Sequence, residues 1–234
     1  MSALEVSIGG RLAEVRGRMA DACRRAGRDA SAVRLVAVSK TYTAEHVLAA
    51  VAHGQRDFGE NKVQEGLQKM AGTADNSIRW HVIGHLQSNK ARKAAEAFDW
   101  IHAVDSVDLL LKIDAAAAAA QRRPKLLVQV DLAGETTKFG AQPAVVREIF
   151  AAADEMHAVE LVGLMLLPPA VDEPEAARPW FRKLVALRDQ WTAAGVPATR
   201  LAELSMGMSH DFEVAIEEGA TIVRVGSAIF GERG

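Results

Sequence analysis

The sequence predicts an α/β protein: a single (β/α)8 barrel of the TIM type, with an extra N-terminal helix. Short β-branched segments recur along the chain, longer segments with helical spacing separate them, and 234 residues suit one barrel. Several of the short segments are continuous apolar runs, as in parallel strands covered on both faces. An open doubly wound sheet is the alternative, although no GxGxxG motif follows the first strand.

The leading helix is expected over about residues 4–25, where apolar residues recur at helical spacing. These residues are Leu4, Ile8, Leu12, Val15 and Met19. The barrel is expected over about 33–231, so that residues 1–234 form one domain. Strands are expected at 34–39, 57–59, 80–83, 100–103, 126–130, 161–166, 201–204 and 222–225. Helices are expected at 44–53, 61–71, 88–97, 106–120, 142–156, 174–194 and 209–218.

Composition excludes several classes of protein. The net charge is −2, from 28 basic and 30 acidic residues, so no basic excess indicates nucleic-acid or membrane-surface binding. The single cysteine, Cys23, excludes an intrachain disulfide and a thiolate zinc cluster. No secretory signal pattern opens the chain, and the low-polarity run 115–120 is far shorter than the roughly 20 residues of a membrane helix. A cytoplasmic location is therefore expected.

Candidate functional residues are sought where strands end, because barrel active sites lie at the carboxyl ends of the strands. Lys40 follows the first strand, where a lowered pKa would favour Schiff-base chemistry; a solvated lysine is the alternative. Asn61 follows the second strand as a ligand candidate or a helix cap. His81 lies within the third strand and is expected to face the barrel interior. His85 lies in the next loop, and the intervening Gly84 argues against a metal site with His81.

Two glycine- and serine-containing loops indicate an anion site. Residues 205–209 (SMGMS) follow the seventh strand and residues 226–227 (GS) follow the eighth, and phosphate commonly binds between these loops in barrels. Ser209 is also a candidate helix cap. Arg224, within the eighth strand, requires a ligand atom or an internal carboxylate as partner. Pyridoxal 5′-phosphate fits a phosphate site near a Schiff-base lysine, and a sugar-phosphate aldolase substrate fits almost as well.

The motifs of this chain resemble those of the YggS/PROSC family of pyridoxal-phosphate homeostasis proteins, in order from about residue 33 to 231. The matching segments are 37–40 (AVSK), 58–61 (FGEN), 64–65 (QE), 80–90 (WHVIGHLQSNK), 164–165 (LM), 204–209 (LSMGMS) and 223–231 (VRVGSAIFG). The resemblance implies a barrel like the N-terminal domain of alanine racemase, a fold of the type III class of pyridoxal-phosphate proteins.

The resemblance also implies the roles of the site residues. The lysine matching Lys40 holds pyridoxal 5′-phosphate covalently as an internal aldimine. The arginine matching Arg224 approaches the pyridine nitrogen, keeps it unprotonated and weakens the cofactor as an electron sink. Asn61 and His81 match positions near the cofactor. The residues that surround the phosphate are those matching Ser205, Gly207, Ser209, Gly226 and Ser227, and Met206 is a further cofactor-binding candidate. Many members carry threonine in place of Ser227, which keeps the hydroxyl.

The function implied is that of a pyridoxal-phosphate carrier in vitamin B6 homeostasis, without catalytic residues, which delivers its cofactor to apoenzymes. A monomer is expected. An amino-acid racemase of low activity is the alternative, but racemisation needs an opposing acid–base group. Tyr42 is the only tyrosine, and the 234 residues leave little room for a second domain to supply another. A Schiff-base aldolase is a third hypothesis, and Lys90 or Lys138 would be candidates for a second cofactor site.

Overall fold

A computed structural model describes residues 2–134 and 139–231. Within these residues, eight parallel strands close into a barrel in chain order, with the last strand paired to the first. The strands are β1 (Arg34–Val38), β2 (Asp57–Glu60), β3 (Arg79–Val82), β4 (Trp100–Val104), β5 (Lys125–Val130), β6 (Glu160–Leu166), β7 (Glu203–Ser205) and β8 (Ile222–Val225). The predicted barrel is therefore confirmed, and the open-sheet alternative is excluded.

Helices cover the outside of the strands. They are α1 (Ala3–Arg25), α2 (Ala44–Ala52), α3 (Val63–Thr73), α4 (Ala91–Ala97), α5 (Val107–Ala119), α6 (Pro143–Ala152), α7 (Arg178–Ala193), α8 (Phe212–Glu217) and α9 (Ser227–Phe230). Short 3-10 turns extend α4, α6 and α7 at one end. Among the described residues, no helix combines the length and apolar character needed to cross a membrane.

The extra N-terminal helix is confirmed. Ser2 and Glu5 form a reciprocal capping box, in which each side chain accepts a hydrogen bond from the other residue's backbone N–H. Its buried stripe packs on α2, α8 and α9, and so covers one side of the barrel. The stripe comprises Ile8, Leu12, Val15, Met19, Ala22 and Cys23.

Two apolar layers hold the barrel together. A large layer lies between the strands and the helices, and a smaller one fills the barrel interior. The interior layer is formed by Val36, Trp100, Leu127, Met165 and Ile222. Each of these residues lies on a different strand. They face the interior because alternate residues of a strand point to opposite faces of the sheet.

The seventh βα unit begins later than predicted. Strand β7 starts at Glu203 rather than 201, because residues 198–200 form a 3-10 turn in which Leu201 N–H donates to Ala198 O at 3.1 Å. Helix α8 starts at Phe212 rather than 209. The intervening turn is held by Asp211, whose carboxylate accepts from Met208 N–H at 2.6 Å. The short helix α9 was not predicted.

The alternative roles of Asn61 and Ser209 as helix caps are wrong. The residue that precedes α3 is Lys62 and not Asn61, and its side chain makes no capping hydrogen bond. Asp211 and not Ser209 precedes α8. Both Asn61 and Ser209 instead line a cavity at the carboxyl ends of the strands.

Candidate functional site

A cavity of about 480 Å³ opens at the carboxyl mouth of the barrel. Six of the ten residues predicted to bind a cofactor line this cavity: Lys40, Asn61, Ser209, Arg224, Gly226 and Ser227. Its other lining residues are Val38, Ile83, Gly84, His85, Phe139, Leu167, Met208 and His210. The cavity therefore places a primary amine, a guanidinium and several hydroxyl groups around one space.

A larger cavity, of about 540 Å³, opens at the opposite mouth. Arg34, Arg79, Trp100 and Lys125, at or near the starts of their strands, form part of its wall. Barrel chemistry is carried by the carboxyl ends of the strands, where side chains from several strands converge on loops. The smaller cavity is therefore the candidate site.

The end of β1 that carries Lys40 is tied to a buried ion pair. Ser39 Oγ donates to Glu60 Oε1 at 2.5 Å, and Lys69 Nζ donates to the same oxygen at 2.7 Å. Lys69 Nζ also donates to the backbone oxygen of Ser39 at 2.5 Å. Burial raises the pKa of the Glu60 carboxyl, and the hydrogen bonds from Lys69 and Ser39 oppose that rise. The residue before Lys40 is thus held by two hydrogen bonds to this ion pair.

The residue after Lys40 is fixed by the same cluster. Thr41 N–H donates to Glu65 Oε1 at 2.5 Å, and Lys69 Nζ donates to that oxygen at 3.1 Å. Thr41 adopts a left-handed conformation with φ 71°, which is uncommon for residues other than glycine. Because both neighbours are tethered, the backbone of half-buried Lys40 is held in place at the cavity wall.

Arg224 is a buried cation that forms part of the cavity wall. Nη1 donates to Ser205 Oγ at 2.5 Å and Nη2 donates to Leu166 O at 2.9 Å. Burial lowers the pKa of Arg224 to about 10, and nearby Asp211 opposes this effect, so the guanidinium remains charged at neutral pH. A guanidinium carries five N–H donors and no acceptor, so donors beyond these two bonds remain for a ligand atom. The partners of Arg224 within the protein are thus a hydroxyl and a main-chain oxygen, and not the internal carboxylate that was one of the two expectations.

The loops after β7 and β8 are joined to each other. Gly226 N–H donates to Ser209 Oγ at 3.0 Å, which brings the two predicted phosphate loops together. A Cβ added to Gly226 would lie 3.3 Å from both Cβ and O of Val38, so this loop also lies close to the end of β1. Gly207 adopts φ 91°, and a Cβ there would lie 2.6 Å from Ala215 Cβ. These two positions favour glycine on steric grounds.

Four predicted site residues lie outside the cavity wall. His81 is buried and faces the barrel interior as predicted, where it contacts Asp57 and His102. Ser205 is buried beneath Arg224, Met206 is fully buried, and the carbonyl of Gly207 accepts from Arg224 N–H at 3.0 Å. Of the four, Ser205 and Gly207 contact Arg224 directly. Direct contact of these four residues with a cofactor stays a prediction.

One aromatic pair at the cavity was missed by the prediction. The rings of His85 and Phe139 stack with centroids 3.6 Å apart and planes 8° apart. His85 Nδ1 also lies 3.6 Å from Asp105 Oδ2. The signal for Phe139 was its place in the loop after the fifth strand, since such loops converge on barrel sites.

Lys138, a candidate for a second cofactor site, lies outside the described residues. Within those residues, no group of three or more histidine, cysteine, aspartate or glutamate side chains is arranged to hold a metal ion.

Sequence comparisons identify relatives along the whole chain. Residues 12–234 match the family described as alanine racemase, N-terminal domain. The pyridoxal phosphate homeostasis protein of Aquifex aeolicus is 43% identical over 223 residues, which cover 95% of this chain and 97% of that protein. The protein of the same name from Escherichia coli K12 is 38% identical over 228 residues, with 95% of both chains covered.

Solved structures show the same fold. PipY of Synechococcus elongatus, known without and with PLP bound, matches with TM-scores of 0.86 and 0.84 at 40% identity. Each match covers 96% of this chain and 100% of PipY. Alanine racemase of Clostridium difficile matches with a TM-score of 0.73 at 15% identity, over 97% of this chain and 57% of the racemase, and so shares the barrel fold. From its sequence relatives and its fold, the chain belongs to the pyridoxal phosphate homeostasis protein family, within the alanine racemase N-terminal domain family.

Proposed function

We propose that the protein binds pyridoxal 5′-phosphate in the carboxyl-mouth cavity and acts as a carrier in the homeostasis of this cofactor. The observation that carries the proposal is the presence of Lys40 and Arg224 in the wall of one cavity, beside the joined loops after β7 and β8. The names of its full-length relatives and the PLP-bound form of PipY support it.

The side chains of the cavity fit the functional groups of this cofactor. Bound pyridoxal phosphate supplies an aldehyde that condenses with an amine, with loss of water, and a ring that accepts electrons. In the proposal, Lys40 Nζ provides the amine and holds the cofactor as a Schiff base. Ser209, Gly226 and Ser227 lie where hydroxyl and backbone N–H groups would hold the phosphate.

Arg224 favours a carrier over a fast enzyme. A guanidinium only donates hydrogen bonds, so a pyridine nitrogen facing it accepts one and stays unprotonated. An unprotonated ring is a weaker electron sink, which disfavours proton abstraction from a bound amino acid. Because Arg224 is buried and charged at neutral pH, it would keep a pyridine nitrogen that faces it unprotonated.

Racemase activity is the alternative function. It needs a second acid–base group opposite the lysine. The only tyrosine, Tyr42, uses its hydroxyl to donate to Gly231 O at 2.6 Å, and its ring packs on Phe230. Tyr42 is absent from the cavity wall, which disfavours a tyrosine base from this chain. Racemisation of alanine or serine that requires Lys40 would overturn the carrier assignment.

The carrier is further proposed to work as a monomer that passes its cofactor to apoenzymes. The residues that the proposal assigns to the cofactor, namely Lys40, Ser209, Arg224, Gly226 and Ser227, are supplied by this chain. Delivery is checked by activation of an apoenzyme with loaded protein while a trapping reagent removes free cofactor. Activation no faster than with free cofactor under the same trap would contradict delivery.

The absorption spectrum tests the proposed site. The wild type with added pyridoxal phosphate is expected to gain the near-visible band of a lysine-bound cofactor, and Lys40→Ala is expected to lack it. Lys112→Ala is the matched control, because Lys112 is an exposed lysine of α5 paired with Asp108. Lys112→Ala is expected to keep the band. A colourless wild type, a band that persists in Lys40→Ala, or a band that Lys112→Ala also loses would refute the assignment of Lys40.

A further inference from the structure

A row of hydrogen-bonded side chains crosses the barrel interior beneath the cavity. Asp57 Oδ1 lies 3.1 Å from His81 Nε2, and His81 Nδ1 lies 3.0 Å from His102 Nε2. His102 Nδ1 lies 2.9 Å from Ser205 Oγ, which accepts from Arg224 Nη1. The five residues are buried and come from β2, β3, β4, β7 and β8. Burial of a polar group costs free energy unless the group has a hydrogen-bond partner, so each group of the row needs one.

The Asp57 end of the row accepts hydrogen bonds only. Burial alone would raise the pKa of Asp57, but hydrogen bonds from Arg79 and His81 hold it well below its usual range. Arg79 donates to both carboxylate oxygens of Asp57, at 2.8 and 2.6 Å. Arg34 Nη1 lies 3.4 Å from Asp57 Oδ1. Because the carboxylate is ionised, the hydrogen shared with His81 is carried by His81 Nε2.

The Arg224 end of the row donates only. Ser205 Oγ therefore accepts from Arg224, and its own hydrogen is free to point to His102 Nδ1. With its Nδ1 accepting, a neutral His102 carries its hydrogen on Nε2 and donates to His81 Nδ1. Burial lowers the pKa of both rings, which favours the neutral form. One arrangement then satisfies every contact, and all donors point from Arg224 towards Asp57.

The rings of the row are fixed by packing as well. His81 stacks on Trp100 with centroids 5.4 Å apart and planes 9° apart. Trp100 belongs to the apolar layer of the barrel interior and is 3% exposed. His81 therefore offers His102 an acceptor in a fixed position, and this fixes in turn the hydroxyl that Arg224 contacts.

We propose that His102, held by His81 and Asp57, is a positioning residue that orients Arg224 towards the cofactor cavity through Ser205. While His102 receives the hydrogen of Ser205, a lone pair of the Ser205 hydroxyl is turned towards Arg224. The ligand part of this inference rests on the proposed function; the hydrogen-bond row itself does not. The role belongs to side chains behind the cavity wall and so differs from contact with the cofactor.

The first test needs no cofactor. Nitrogen-15 NMR of the cofactor-free protein at neutral pH is expected to show His81 and His102 as neutral rings with the hydrogen on Nε2. A doubly protonated ring, or a hydrogen on Nδ1 of either ring, would overturn the row as assigned. This outcome is independent of whether the protein binds pyridoxal phosphate.

The second test compares His102→Gln with His102→Leu. A carboxamide has both an acceptor and a donor, so glutamine can still link Ser205 to His81, whereas leucine fills similar space without either group. His102→Leu is expected to weaken pyridoxal-phosphate binding about tenfold or more, since Ser205 loses the acceptor that orients its hydroxyl and the Arg224 guanidinium is no longer held, and to shift the band of the bound cofactor. His102→Gln is expected to keep the affinity and spectrum near those of the wild type.

The comparison has clear contrary results. Equal impairment of both variants would indicate a packing role, and wild-type binding by His102→Leu would show that Arg224 needs no positioning; either result overturns the inference. Failure of the wild type to bind pyridoxal phosphate would instead refute the proposed function. If His102→Leu does not fold, the NMR assignment of the wild-type rings still decides whether the row exists.

Discussion

Buried charges determine how the residues around Lys40 are held. Glu60 is fully buried, and its Oε2 has no hydrogen-bond partner among the described residues. Its other carboxylate oxygen is held by Lys69 and Ser39. A buried ion pair adds little net stability, but removal of one partner leaves a buried charge uncompensated. The Lys40 loop therefore depends on an intact pair.

Lys69→Met tests this dependence. It is expected to lower the free energy of unfolding by about 3–5 kcal/mol, because Glu60 keeps its burial and loses its cation. Lys112→Met is the control: it removes an exposed ion pair with Asp108 and is expected to change stability by less than about 1 kcal/mol. Denaturant unfolding measures both values. Losses of equal size in the two variants would contradict the account.

The two buried histidines give a second expectation, for stability against pH. The pKa values of His102 and His81 are lowered in the folded protein. As pH falls, the unfolded chain therefore takes up protons before the folded protein does. The free energy of unfolding that these rings contribute is present above about pH 6.5 and is lost below it. Each ring contributes up to about 1.4 kcal/mol per pH unit. Below pH 6.5, His102→Gln is expected to show a shallower fall in unfolding free energy than the wild type. An equal slope would mean that His102 titrates normally in the folded state.

Among the elements, most helices and strands were predicted because their signals are local. The apolar spacing of α1 and the β-branched runs of the strands depend only on neighbours in the chain. Strand β7 was misplaced because Leu201 reads as a strand residue but follows a 3-10 turn. The row from Asp57 to Arg224 was not predicted, since it joins side chains that only the closed barrel brings together.

The loop after β7 provides a test at this level. Gly207→Ala is expected to destabilise the protein by about 1–3 kcal/mol, because φ is 91° and the added Cβ would lie 2.6 Å from Ala215 Cβ. Gly17→Ala is the control, in the exposed interior of α1 with no atom near the added Cβ, and is expected to stabilise by about 0.5–1 kcal/mol. Thermal or denaturant unfolding reports the sign. The same sign for both variants would argue against a steric requirement at Gly207.

Closure of the barrel creates the candidate site. Strand β1 pairs with β8, with Val36 opposite Arg224, so the lysine that follows β1 lies beside the loop that follows β8. In an open sheet the first and eighth strands need not be neighbours. Six of the residues that the sequence motifs singled out line the cavity, because the motifs mark strand ends. The motifs could not show that Ser205 contacts Arg224 or that His81 contacts Asp57 and His102, since depth in the barrel depends on strand register.

The central claim is that Lys40 holds pyridoxal phosphate, and covalent mapping tests it most directly. The protein is mixed with the cofactor, reduced with borohydride so that the C=N bond becomes a stable C–N bond, digested and examined by mass spectrometry. The expected result is one pyridoxyl group, on the peptide that contains Lys40, and none at Lys40 in the presence of excess competing amine. A group on Lys90 or Lys138 while Lys40 stays unmodified would contradict the account.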